Sequence, residues 1–198
     1  MALRLNKTIE KWDSMWYHTN IPQPMVESLM VDVKYFNDHH SDALEAGTVG
    51  EDGVIDPNIR LNKVGWLDTS HWVAAFVHYY ICKANENNFC YDISDFTDDL
   101  QVTMYDPGEY YHWHIDGGII NPDGTQRKLS FSLQLSDPSE YEGGELQFQS
   151  LDGMSTYYAP KEIGTLIVFD SRVRHRVTKV LSGKRKALVG WVGGPRWR

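Results

Sequence analysis

Met25, Leu29, Val33 and Phe36 recur at helical spacing just after Ile21-Pro-Gln-Pro, and this pattern predicts an amphipathic helix over about 24–37. A broader stripe of Trp72, Val73, Phe76, Val77, Tyr80 and Ile81 predicts a second helix over roughly 69–86, capped by Asp68 or Thr69. Ahead of both, Trp12, Trp16 and Tyr17 sit among polar residues, as in an opening strand or a coil laid on the core. Residues 38–63 are polar and carry Gly47, Gly50, Gly53 and Pro57. They read as a long irregular segment, either a substrate lid or a plain solvated connection.

From about residue 90 the period changes. Leu129, Phe131, Leu133 and Leu135 alternate with Ser130, Ser132 and Gln134, which is a two-residue repeat and therefore a strand with one apolar face. Shorter strands are expected at Leu100–Tyr105, Tyr110–Asp116, Glu145–Gln149, Thr165–Phe169, His175–Val177 and Lys186–Val192, with turns at Asn121-Pro-Asp-Gly and Gly143-Gly144. Many short strands after two helices give an α+β class: a jelly-roll body with the N-terminal helices packed on one sheet. No repeat or linker divides the chain. One domain over 1–198 is expected, helical over about 1–88 and jelly-roll over about 92–194.

Composition narrows the function. The 198 residues suffice for one well-buried core, and 41% hydrophobic with 23% charged residues is ordinary for a globular chain. No stretch approaches the roughly 18 apolar residues of a membrane span, and the first residues lack the apolar centre of a signal peptide. Cys82 and Cys90 cannot form a disulfide framework, which points to a reducing, cytoplasmic setting with Cys82 in the core. The net charge of −8 argues against a nucleic-acid partner. A local basic patch remains at Arg172, Arg174, Arg176 and Lys179, and it reads first as the polar faces of adjacent strands.

The chemistry concentrates in Tyr105-Asp-Pro-Gly-Glu-Tyr-Tyr-His-Trp-His-Ile-Asp116. His114 and Asp116 are two apart, so on a strand they face the same way. His175 follows the apolar run Leu166–Phe169 and opens the next strand, where it is the natural third ligand. Two histidines and one carboxylate on one side of a metal leave the other side open, as in non-haem Fe(II) oxygenases. The rival pair His112-x-His114 resembles a cupin start, but the positions where a cupin needs glutamate hold Gly118 and Ile119. Arg185 lies ten residues beyond His175, past the Ser182-Gly183 turn, where a guanidinium can grip a carboxylate bidentately.

His114-x-Asp116, His175 and Arg185, in this order and spacing, resemble the signature of the Fe(II)/2-oxoglutarate-dependent dioxygenases. Tyr-His-Trp-His-Ile-Asp, then Leu-Ser-Phe-Ser-Leu-Gln-Leu, then His-Arg-Val-Thr-Lys-Val are similar to the prolyl-hydroxylase-like branch over about 99–194. The resemblance implies a double-stranded β-helix that binds Fe(II) through His114, Asp116 and His175. It also implies 2-oxoglutarate and O2 as cosubstrates, with the far carboxylate of 2-oxoglutarate on Arg185, and it admits ascorbate as an accessory. Tyr105 matches a tyrosine lining the cosubstrate pocket, and Trp191 matches an aromatic near the metal. Gln134 stands where some prolyl hydroxylases place a carboxylate-binding tyrosine. An aromatic groove of Tyr110, Tyr111, Trp113 and Trp191 is expected to hold substrate.

The expected activity is hydroxylation of a C–H bond, foremost of a prolyl residue in a protein or peptide, with release of succinate and CO2. The alternatives are a free amino acid or other small molecule, or a non-catalytic jelly-roll binder. Nucleic-acid demethylases of similar motif carry a second arginine where this chain has Trp191.

Overall fold

The computed structural model describes residues 16–39, 45–47, 54–118 and 120–197. In chain order the strands and helices begin with β1 (Trp16–Asn20), α1 (Gln23–His39), β2 (Glu45–Ala46), β3 (Arg60–Leu61), β4 (Lys63–Leu67) and α2 (Trp72–Ala84). There follow β5 (Leu100–Tyr105), β6 (Tyr110–His114), β7 (Thr125–Gln134), β8 (Tyr141–Gly143) and β9 (Leu146–Gln149). The chain continues through β10 (Thr156–Tyr158), β11 (Thr165–Asp170), β12 (His175–Val177), β13 (Val180–Gly183) and β14 (Arg185–Pro195).

Two antiparallel sheets make the body, as expected for a double-stranded β-helix. The larger has the order β1-β11-β7-β14-β5-β4-β2 and the smaller β10-β9-β12-β6-β3. Alternation in the strands of the larger sheet decides which way everything faces. Leu129, Phe131 and Leu133 of β7, Leu100 and Val102 of β5, and Leu188 and Val192 of β14 pack outward against Leu29 and Val33 of α1 and Val73, Val77 and Ile81 of α2. Both helices therefore cover one face of one sheet. The opposite faces of the same strands carry Ser130, Ser132, Gln134, Gln101, Thr103 and Arg185, all buried and polar. Ile167 and Phe169 of β11 join Leu146, Phe148 and Val177 in a second core between the sheets.

Several local expectations are corrected. The second helix begins at Trp72, and its cap is His71, whose side chain accepts from the Val73 amide. Asp68 instead accepts from the Ser70 amide in the preceding turn. The helix ends at Ala84 and gives way to a π-helical turn over Asn85–Phe89. Trp72 is not in the core: it is 38% exposed, and its indole donates to Asp32. Cys82 is half-buried, with Sγ 3.6 Å from His78 Nδ1. The segment 38–63 holds β2, β3 and the start of β4, whose partners are too distant in sequence for periodicity to show them. Gly50, Gly53 and the Phe36 side chain lie outside the described residues, as does Trp12. No helix among the described residues is long and apolar enough to cross a membrane.

Gly183 closes the turn between β13 and β14 at φ +72, and a Cβ there would collide with the Glu140 carbonyl oxygen. Gly183→Ala combines a left-handed backbone with that collision and is expected to cost more than about 1 kcal/mol. The urea unfolding midpoint measures it, and a midpoint equal to the parent's refutes the expectation.

Candidate metal centre and cosubstrate pocket

The centre is assembled by strand pairing. β12 lies between β9 and β6, and its register sets His175 directly opposite His114. The β6–β12 register then slips, so that Val177 faces Tyr111 and β6 carries one extra residue between the two pairs. Such a bulge resets the in–out alternation of a strand. Tyr111 and His114 consequently share the inner face, their rings stacked at 3.5 Å and 11°. Trp113 lies instead beside Arg176. β6 ends at His114, so the expectation that Asp116 follows from strand alternation is corrected. Asp116 sits in the turn beyond, where its amide donates to the Ser171 carbonyl and its Oδ2 accepts from the Ser130 hydroxyl at 2.7 Å.

The three side chains converge. His114 Nε2 is 3.6 Å from Asp116 Oδ1, His175 Nε2 is 3.5 Å from Asp116 Oδ2, and one ligand atom from each lies within 4.8 Å of the others. His114 Nδ1 is 2.7 Å from the His112 carbonyl and His175 Nδ1 is 3.0 Å from the Val173 carbonyl. An Nδ1–H donating to each carbonyl leaves both Nε2 lone pairs directed at the centre, the tautomer a metal requires. Burial, with His175 adjacent, holds the His114 imidazole down to about 3, so it stays neutral. Burial raises the Asp116 carboxyl, but the facing His175 and His114 and the Ser130 hydroxyl overcome it and hold it at about 2. The donor set is thus two imidazole nitrogens and one carboxylate, which suits a divalent cation.

These residues line a cavity of about 300 Å³ between the sheets, at the small end of ligand pockets. Arg185 is on its wall, 2% exposed. Register puts it opposite Tyr105, with the guanidinium 5.4 Å from that ring centre, and its Nη2 donates to Gln134 Oε1 at 3.0 Å. Its Nε is buried with no hydrogen-bond partner, and no carboxylate pairs with it among the described residues. A buried guanidinium with an unsatisfied donor is the counterpart of a bound anion. Tyr105, buried at the same wall, has its hydroxyl pushed up by burial and stays protonated.

Of the remaining expected site residues, Trp191 lines the cavity, with the Arg127 guanidinium 3.8 Å above its ring. Tyr110 and Trp113 do not line it. Tyr110 borders a separate outer cavity, its hydroxyl donating to the Pro57 carbonyl, and Trp113 carries the Arg176 guanidinium at 4.6 Å. For Tyr110 the bulge is the reason; Trp113, adjacent to His114, faces away by ordinary strand alternation. Sequence reading missed Arg60, Arg127 and Ser130. Arg60 of β3 is buried, donates to Asn62 and Gln101, and lies 4.6 Å above Tyr111. Only Ser130 had a signal, its place on the polar side of the alternating strand.

Residues 100–193 match the 2OG-Fe(II) oxygenase superfamily. A PKHD-type hydroxylase of Picosynechococcus is 41% identical over 93 residues, which cover 47% of this chain and 41% of that protein. One from Synechococcus elongatus is 33% identical over 131 residues, covering 64% of this chain and 58% of that protein. The chain thus spans about two fifths to three fifths of the length of these relatives. Among solved structures, a Pseudomonas putida prolyl-4-hydroxylase superposes with TM-score 0.69 at 22% identity, covering 93% of this chain and 94% of that one. A Trichoplax adhaerens prolyl hydroxylase in complex with a hypoxia inducible factor peptide fragment gives 0.73 at 20%, covering 90% and 83%. Residues 100–193 are thus similar to the 2OG-Fe(II) oxygenase superfamily, and the double-stranded β-helix around them is the fold of these two solved hydroxylases.

Proposed function

We propose that this chain is an Fe(II)- and 2-oxoglutarate-dependent dioxygenase that hydroxylates a substrate C–H, foremost at a prolyl residue of a protein or peptide. The observation that carries the reading is one cavity holding both the His114, Asp116, His175 donor set and the Arg185 guanidinium with its unsatisfied Nε. His114, Asp116 and His175 would hold the iron, and Arg185, with Gln134 and Tyr105 beside it, would take the far carboxylate of 2-oxoglutarate. Fe(II) with 2-oxoglutarate and O2 supplies oxidative decarboxylation to succinate and CO2 and the oxidising power for hydroxylation.

The protein's own work is placement and exclusion of water. Ser130 fixes one Asp116 oxygen, and the His112 and Val173 carbonyls fix both imidazoles. Phe169, Leu146, Val189 and Trp191 give the cavity apolar walls, within which charge interactions are stronger than in water. Trp191 and Tyr111 offer flat surfaces for a prolyl ring. A second reading, hydroxylation of a free amino acid or other small molecule, is favoured by Arg60 and Arg127, two further guanidinia lining the same cavity from opposite sheets. Product analysis separates the two: turnover of proline-containing peptides supports the first, and turnover of free amino acids alone supports the second.

Anaerobic addition of Fe(II) and 2-oxoglutarate is expected to give a visible charge-transfer absorption. His175→Ala should abolish it, and Arg185→Ala should demand at least about tenfold more 2-oxoglutarate; no absorption in the parent defeats the reading. Ser130→Ala, which removes the hydrogen bond to Asp116 Oδ2, is expected to weaken Fe(II) binding by about 10-fold or more with the fold intact. A metal titration monitored by calorimetry, beside a thermal melt, reads this directly.

A further inference from the structure

The larger sheet is covered on both faces, by the helices outside and by the smaller sheet inside. The smaller sheet's outer face has no such cover among the described residues. On β12, His175 and Val177 are buried inward, so Arg176 between them points out. On β6, Trp113 alternates outward from His114 to meet it, with the Arg176 and Arg174 guanidinia 4.6 Å and 6.0 Å from its ring centre. Lys179 Nζ lies 5.7 Å from the Tyr110 ring. Tyr110, His112, Arg176 and Lys179 border a cavity of about 350 Å³, and Tyr111 borders both this cavity and the metal-site cavity.

The charge on this face runs against the rest of the molecule. Among the described residues no carboxylate pairs with Arg174, Arg176 or Lys179; Arg174 and Arg176 donate to the neutral Gln149 and Gln147. Arg172, by contrast, is held by Asp170. Three uncompensated cations over aromatic rings, in a chain of net charge −8, form a platform of one sign. Aromatic rings and arginine are the residue types enriched at interfaces, and complementary charge steers encounter and fixes register. We propose that the outer face of β6 and β12 docks an acidic peptide segment, the stretch flanking the residue presented to the metal-site cavity.

This rests on the peptide-hydroxylase reading and adds the substrate's charge. An extended chain lying over Trp113 and Tyr110 reaches the metal-site cavity across the shared wall of Tyr111. A nucleic acid fits less well, because the cationic cluster is only three residues wide, too few to neutralise a run of phosphates.

The test is fluorescence anisotropy of the full chain with labelled short peptides. Each carries one central proline, flanked by glutamate and aspartate, by glutamine, or by lysine. The acidic peptide is expected to bind at least about tenfold tighter than the other two. It should weaken as NaCl rises from about 0.05 to about 0.3 M. It should also lose at least about tenfold in the Arg176→Glu, Lys179→Glu double variant. That variant should keep the Fe(II)–2-oxoglutarate absorption, which shows it folded. Equal binding of the three peptides, unchanged affinity in the double variant, or tighter binding of a single-stranded oligonucleotide overturns the proposal. Charge-dependent peptide binding without the absorption upholds the docking face and defeats the hydroxylase reading. The absorption with no charge preference does the reverse.

Discussion

The antiparallel pairing of β6 with β12 is the constraint on which the rest of the site depends. Directly opposed residues on such strands bring their Cβ atoms to about 4.5–5.5 Å, so pairing His114 with His175 creates two-thirds of a metal site from backbone hydrogen bonds alone. The bulge beside that pair swings Tyr111 inward onto His114, while Trp113, next to His114 on the strand, faces outward to the arginines. A single extra residue therefore separates an inner chemical face from an outer charged one. The third ligand comes from elsewhere: Asp116 leaves the strand and is held by Ser171 and by Ser130 of β7.

The strands of the larger sheet tie this site to the stability of the fold. β5, β7 and β14 place leucine, valine or phenylalanine against the helices and serine, glutamine, threonine or arginine on the inner side, where β11 adds Ile167 and Phe169. Burying so many polar groups is tolerable only when they are hydrogen-bonded. Ser130 reaches Asp116 and Ser171, and Gln134 reaches Arg185 and the Pro160 carbonyl. Ser132 Oγ and Arg185 Nε are exceptions, both buried without a partner, and of the two only Arg185 carries a charge. A buried charge without its counterion costs several kcal/mol, a cost that an anionic ligand seated at Arg185 would relieve.

The sequence by itself determined the class of the body and singled out three candidate donors, whose ligand atoms the fold brings within 4.8 Å of one another. An alternating run such as Leu129–Leu135 has only one way to bury its apolar side, and a His-x-Asp pair with a later histidine narrows the chemistry sharply. Arg185, Gln134 and Tyr105 were legible through the spacing of the resemblance, and the structure brings them to one wall. What only the tertiary structure decided is everything that depends on register. The bulge in β6 cannot be seen in local periodicity, because it exists only against its partner strand, and it divides the expected aromatic groove: Tyr111 lines the metal-site cavity with Trp191, while Tyr110 borders the outer one. Arg60 sits in a stretch that reads as irregular because β3 is two residues long and gains its order from β6. Likewise the cap at His71 and the strands between residues 45 and 67 follow from contacts with distant segments, which no local pattern encodes.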